Sequence, residues 1–162
     1  MATIALNAGS NLGNRRLNLT RALKAIGETF GKYEISHVVE SEPWGFDSTN
    51  CFLNVGIVIE SEMAPVEILK EIKKIEKKIS STPHRDGNGN YCDRIIDIDI
   101  IVIDELIINE EELQIPHRHL SERRFFLEPL HELMPLWKDP ISGKTASEML
   151  SQLDYEESAD HK

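Results

Sequence analysis

Three observations predict an α/β (α+β) chain folded as a ferredoxin-like β-α-β-β-α-β sandwich with additional C-terminal helices. The apolar periodicity alternates between two and 3.6 in that order along the sequence. Residues 95–103 are almost continuously β-branched, as a strand covered on both faces requires. The 162 residues contain no internal repeat and no dividing linker, and are enough to bury one core without disulfides or a structural metal. A single domain is expected over residues 1–155, with a disordered tail over 156–162.

Taken in order, residues 3–8 are short and apolar, a first strand, and Gly9, Ser10 and Asn11 read as the loop after it. Leu12, Leu19, Leu23, Ile26 and Phe30 recur at helical spacing, and Gly31 stops that helix. Residues 33–39 alternate, with Tyr33, Ile35, His37 and Val39 on one face of a strand. Residues 41–50 form a long loop, and long loops in compact domains are often functional. Residues 52–60 are the clearest strand: Leu53, Val55, Ile57 and Ile59 share one face, Phe52, Asn54, Gly56 and Val58 the other. Pro65 opens a second helix at its first position, with Ile68, Leu69, Ile72, Ile75 and Ile79 as the apolar stripe. A second long, polar loop over 80–93 leads to the strand 95–103. A turn over 116–119 and helices near 124–132 and 145–153 complete the chain.

The formal net charge is −10. Such a chain repels phosphate backbones, so long nucleic acids are not expected as partners. A small anion such as ATP is compatible, because local arginines and Mg²⁺ reverse the field at one site. The two cysteines, Cys51 and Cys92, form no metal or disulfide pattern and suit a reducing cytoplasm. The N-terminus lacks the pattern of a secretory signal, and no apolar run is long enough for a membrane span. A cytoplasmic monomer acting on small molecules is expected.

Asp97 and Asp99 carry the sharpest chemical signal. Their spacing puts both carboxylates on one face of the apolar strand, with Cα atoms roughly 6.5–7 Å apart. Ile96, Ile98, Ile100 and Val102 are expected on the opposite, core-facing side. Buried unpaired carboxylates are costly, so something positive must face them unless the strand end is solvated. One reading is therefore a pair of exposed acids; the other is a Mg²⁺ site shared with ATP phosphates. Arg94 is either a structural partner of Asp97 or a phosphate ligand. Phe52 and Asn54 suit a flat heterocycle, the ring stacking and the amide reading its edge, although a strand Phe is commonly core. The stretch of His117, Arg118, His119, Arg123 and Arg124 offers cations near a phosphate site, with Arg118 and Arg124 read as ordinary surface charge. His84 and Arg85 lie in the 80–93 loop. Ser142-Gly143-Lys144-Thr145 imitates the end of a phosphate-binding loop, but Lys138 stands where the first glycine is required and no buried strand precedes it.

Five segments in order, NAGSNLGNR (7–15), SEPWG (41–45), FLN (52–54), DRIIDIDII (93–101) and IPHRHLSERRFFLEPL (115–130), resemble the hydroxymethyldihydropterin pyrophosphokinase family. That resemblance implies a ferredoxin-like fold and transfer of pyrophosphate from ATP to the pterin hydroxymethyl group. It also implies two Mg²⁺ ions on Asp97 and Asp99. The pterin would lie between Phe52 and Phe125, its edge read by Asn54 and by the loop of Ser41, Pro43, Trp44 and Gly45. Glu76, Ile100, His117 and Arg123 match ATP-binding positions, and Arg94 a phosphate-contacting one. In the 80–93 loop the family's Gly-Arg-x-Arg run is replaced. Thr82 stands for its first arginine, and His84 or Arg85 for its second. Tyr91 stands in for an aromatic that covers the pterin, and Lys73 for a frequent glutamine. The alternatives are a non-catalytic ferredoxin-like module that binds a nucleotide or small ligand, and another Mg²⁺-dependent phosphoryl or nucleotidyl transferase.

Overall fold

A computed structural model describes residues 1–44, 48–80 and 93–160. Its central sheet contains β1 (Ala2–Ser10), β2 (Tyr33–Ile35), β3 (Val39–Ser41), β4 (Phe52–Ser61) and β5 (Asp97–Ile103). The order is β2-β4-β1-β5, with β3 also paired to β4. The pairings are antiparallel, giving the ferredoxin-like arrangement anticipated from the sequence. Helices α1 (Arg15–Phe30) and α2 (Pro65–Ile79) cover one face. Their apolar stripes meet Ile4, Leu6, Leu53, Val55, Ile57 and Ile59 in the larger core. Helices α3 (Arg124–Leu133) and α4 (Ala146–Asp160) pack with Ala5, Ile101 and Val102 in a second core.

Local chemistry sets the boundaries. The Asn14 side chain caps α1, accepting from the Leu17 N–H at 3.1 Å, and Gly31 ends it at φ 86°. Pro65 starts α2 as expected. Gly9 and Ser10 continue β1 instead of turning away, because they pair with Asn54 and Leu53 of β4.

Four further differences from the sequence reading have physical causes. The strand over 33–39 is split into β2 and β3. Residues 36–38 lie opposite only residues 55 and 56, one residue in excess, and the Ser36 hydroxyl accepts the Gly56 N–H at 2.8 Å in place of a ladder bond. Val102 does not join Ile96, Ile98 and Ile100. The β1–β5 register shifts between Ala5 and Leu6, which turns Ile101 and Val102 together toward the second core. The hairpin of β6 (Ile108–Asn109) and β7 (Gln114–Ile115) is too short to leave a periodic signal. Finally, residues 156–160 are not a disordered tail: α4 runs through Asp160, where Arg124 donates to Asp154 at 2.5 Å and to Glu157 at 2.9 Å. Ser142 and Gly143 form a turn, with the Gly143 N–H donating to Asp139 O at 2.7 Å, and no strand stands before it.

Candidate active site

Strand β5 is an edge strand, and its carboxylates are held at the point where two cavities meet. One, of about 400 Å³, is lined by Phe52, Asn54, Trp44, Arg94, Arg123 and Phe125 among others. The second, of about 450 Å³, is lined by Leu69, Ile72, Glu76, Ile98, Ile100 and the 111–114 segment. Asp97, Asp99 and His117 border both.

The two aspartates differ. Arg94, only 8% exposed, places Nη1 2.7 Å from Asp97 Oδ2. Even so, burial, reinforced by the charge of Asp99, holds Asp97 up to about 7. Asp99 sits below its ordinary value: burial pushes it up, but His117, Arg123 and Arg94 together outweigh that. His117 Nε2 stands 3.8 Å from Asp99 Oδ1, within ion-pair reach though too long for a hydrogen bond. The His117 N–H donates to Ile101 O at 2.8 Å, which ties the histidine to the end of β5. Glu76 reaches across from α2 and accepts the Ile98 N–H at 2.8 Å, occupying an edge-strand donor. Burial, then the nearby Asp97 charge, pushes Glu76 up to about 8.

The first cavity is walled by aromatics. Phe52 and Asn54 leave β4 on the face opposite the larger core. The Asn54 amide donates to Ser41 Oγ at 2.7 Å and to Val39 O at 3.2 Å, so β3 fixes its orientation. Gly9 makes room for this pair, since a Cβ there would lie 2.8 Å from Asn54 Oδ1. Phe125 begins α3, and Asn7 Nδ2 donates to its carbonyl at 3.0 Å. The Arg123 guanidinium carbon lies 4.1 Å from the Trp44 ring centroid and 5.0 Å from that of Phe126, cation–π contacts that flatten it against the wall. Arg94 approaches the Phe52 ring at 5.8 Å.

Most of the residues anticipated from the sequence therefore converge. Glu76 and Ile100 face the second cavity, the others the first, and Asp97, Asp99 and His117 both. Ser41 acts behind Asn54, and Pro43 stands between Glu42 and Trp44, which line the cavity. Gly45, His84, Arg85 and Tyr91, with Thr82, lie outside the described residues. Arg118, read as ordinary surface charge, is exposed and borders both cavities. Arg124 points away, into its pairs with α4. His119, from the basic stretch, lines the site, as do Lys73 and Glu112, which were not singled out as site residues. Lys73 and Glu112 are exposed helix and loop positions, and only the tertiary fold brings them to the cavity.

Among the described residues no group of three His, Cys, Asp or Glu side chains encloses a metal site. Two hard carboxylates on one face, flanked by cations, instead match a cation that takes its other ligands from phosphate and water.

Residues 5–135 match the family model described as 7,8-dihydro-6-hydroxymethylpterin-pyrophosphokinase. A 2-amino-4-hydroxy-6-hydroxymethyldihydropteridine pyrophosphokinase of Aquifex aeolicus is 36% identical, over 91% of this chain and 90% of the relative. A protein of the same name from Porphyromonas gingivalis is 37% identical, over 86% and 95%. Among solved structures, the Plasmodium falciparum HPPK-DHPS shares the fold, with a TM-score of 0.73 at 15% identity, over 93% of this chain and 44% of that one. The chain belongs to the 7,8-dihydro-6-hydroxymethylpterin-pyrophosphokinase family.

Proposed function

We propose that this family member transfers pyrophosphate from ATP to the hydroxymethyl group of 6-hydroxymethyl-7,8-dihydropterin, a step of folate biosynthesis, across the junction of its two cavities. The observation that carries the reading is that Asp97 and Asp99 border both spaces at once. A pterin between Phe52 and Phe125, with Asn54 at its edge, fills the first. The nucleotide fills the second, its base against Ile100. The reacting atoms then meet beside the carboxylates.

In the reaction the hydroxymethyl oxygen bonds to the β-phosphorus of ATP and gives up its proton. The bond from the β-phosphorus to the oxygen bridging it to the α-phosphorus breaks, and AMP leaves. Such transfers are catalysed mainly by positioning and by neutralising charge. Asp97 and Asp99 would hold Mg²⁺, two ions by analogy with the family, which supplies Lewis-acid clamping of the phosphate oxygens. Arg94 keeps Asp97 aimed at the junction. Arg123 presents positive charge toward the phosphates, its direction fixed by stacking on Trp44, and His117 stands beside Asp99. Phe52 and Phe125 orient the acceptor, which converts an encounter into a near-attack geometry.

The test is chromatographic analysis of protein, Mg²⁺, ATP and the pterin, with each omitted in turn. Equal amounts of AMP and pterin pyrophosphate, in the complete mixture alone, are expected. Binding of both ligands without AMP would mark a non-catalytic module. Products other than AMP, or turnover with another acceptor, would mark a different transferase.

A further inference from the structure

Residue Asn11 is 2% exposed and lines neither cavity, yet its side chain is bonded to the backbone that carries the site's arginine. Its Oδ1 accepts the Arg94 N–H at 2.7 Å, and its own N–H donates to Arg94 O at 3.1 Å. This pair of bonds acts like one rung of a sheet made through a side chain. The other end of the amide, Nδ2, donates to Asp93 Oδ1 at 2.8 Å and to Asn50 O at 3.2 Å. Asn50 Nδ2 closes the ring, donating to Asp93 Oδ2 at 2.9 Å. Asn11 itself is held rigidly. Asn18, 6% exposed, donates to Ser10 Oγ at 3.1 Å and to Leu12 O at 2.9 Å on either side of it. Arg15 donates to Cys51 O at 2.9 Å, one residue beyond Asn50.

We infer that Asn11 is a positioning residue for pyrophosphoryl transfer, fixing Arg94 against Asp97 through a closed Asn11–Asp93–Asn50 ring; this rests on the function proposed above. The chemistry requires an amide at position 11. One end must accept from a backbone N–H and the other must donate to a carboxylate, and only Asn does both at this length. An aspartate would keep the first bond and set a like charge against Asp93. The path to the reaction is short. Asn11 fixes the Arg94 backbone, the Arg94 guanidinium holds Asp97 at 2.7 Å, and Asp97 borders both substrate spaces. Of the pterin walls, Asn54 and Phe125 are anchored separately, through β3 and through Asn7, while the Arg94 guanidinium also lies 5.8 Å from the Phe52 ring.

The experiment compares wild type, Asn11→Asp, Asp93→Asn and the Asn11→Asp/Asp93→Asn double variant in the same assay, with kcat, both KM values and Tm recorded. Asn11→Asp is expected to lower kcat about 10- to 100-fold, the range for groups that orient a reactive residue. The pterin KM should rise less than kcat falls, because Asn54 and Phe125 keep their own anchors. The double variant restores the bond between positions 11 and 93 with donor and acceptor exchanged, but not the bond to Asn50 O, so it should recover part of the loss. Wild-type kcat in Asn11→Asp would overturn the inference. So would a loss that extends equally to pterin KM and Tm and is not recovered by the exchange. If Asn11→Asp does not fold, Asp93→Ala carries the same test: lowered kcat with a smaller change in pterin KM supports the inference, and unchanged kcat overturns it. If wild type itself forms no AMP, the proposed function fails, and the inference fails with it.

Discussion

Replacing Gly9 with alanine should weaken pterin binding while sparing ATP. The added Cβ would lie 2.8 Å from Asn54 Oδ1 and 3.4 Å from the Phe52 ring. An ordinary carbon–oxygen contact is at least about 3.3 Å, so one partner must retreat by roughly half an ångström. Gly9 cannot, because it is paired with Asn54 on one side and Asp97 on the other. Asn54 must therefore move and strain its bonds to Ser41 and Val39. Losing one such bond costs about 1 kcal/mol, and overpacking adds about 1–3 kcal/mol. Stability should thus fall by about 2–4 kcal/mol. A displaced amide also loses a hydrogen bond to the pterin edge, which corresponds to about ten-fold weaker binding. The nucleotide side, Ile100 and Glu76, lies beyond the aspartates and should change by no more than about two-fold. Calorimetric titration with the pterin and with a non-hydrolysable ATP analogue measures both. Unchanged pterin affinity, or equal weakening of both ligands, would refute the reasoning.

Other expected outcomes follow from single contacts. Gly56→Ala would put a Cβ 2.4 Å from Pro129 Cβ, forcing α3 off the sheet, so urea denaturation should show a loss of about 3 kcal/mol or more. Glu76 keeps its proton to about pH 8 in the fold but gives it up near 4.5 when unfolded. The folded state therefore binds more protons between those values, and the metal-free protein loses stability as pH rises through that window. Glu76→Gln should flatten the decline of Tm from pH 5 to about pH 8; an unchanged decline would assign it to other groups. Arg123→Ala should lower kcat about 10- to 100-fold. Its neighbour Arg124→Ala should leave kcat nearly unchanged, since its partners Asp154 and Glu157 are exposed and such pairs contribute about 1 kcal/mol or less.

Much of the site was legible because it lies on regular elements. Asp97 and Asp99 share a face by the pleat alone, and Phe52 and Asn54 leave β4 opposite Leu53 and Val55 for the same reason. The order of periodicities was enough for the sheet topology. What escaped depends on registers and distant partners. The extra residue at 36–38 and the irregularity at Ile101 are one-residue events that leave alternation almost unchanged, yet the first splits a strand and the second redirects Val102. Residues 156–158 of α4 look like a polar tail and stay exposed; the continuation of the helix, with a pair from Glu157 to Arg124, leaves no apolar pattern. Asn11 sits in a segment that reads as a loop. Its role follows from Asp93 and Arg94, more than eighty positions away, which no local pattern connects to it. Arg118 looks like one more surface charge until the turn after Ile115 brings it to the cavities.

The central claim is that the aspartate pair at the junction of the two cavities carries the reaction and is not needed for folding. Measuring AMP formation by Asp97→Ala and Asp99→Ala beside wild type, with circular dichroism on the same samples, tests it most directly. Turnover should be lowered at least about 10³-fold in each, with native spectra. Near-normal turnover in Asp97→Ala would contradict the account.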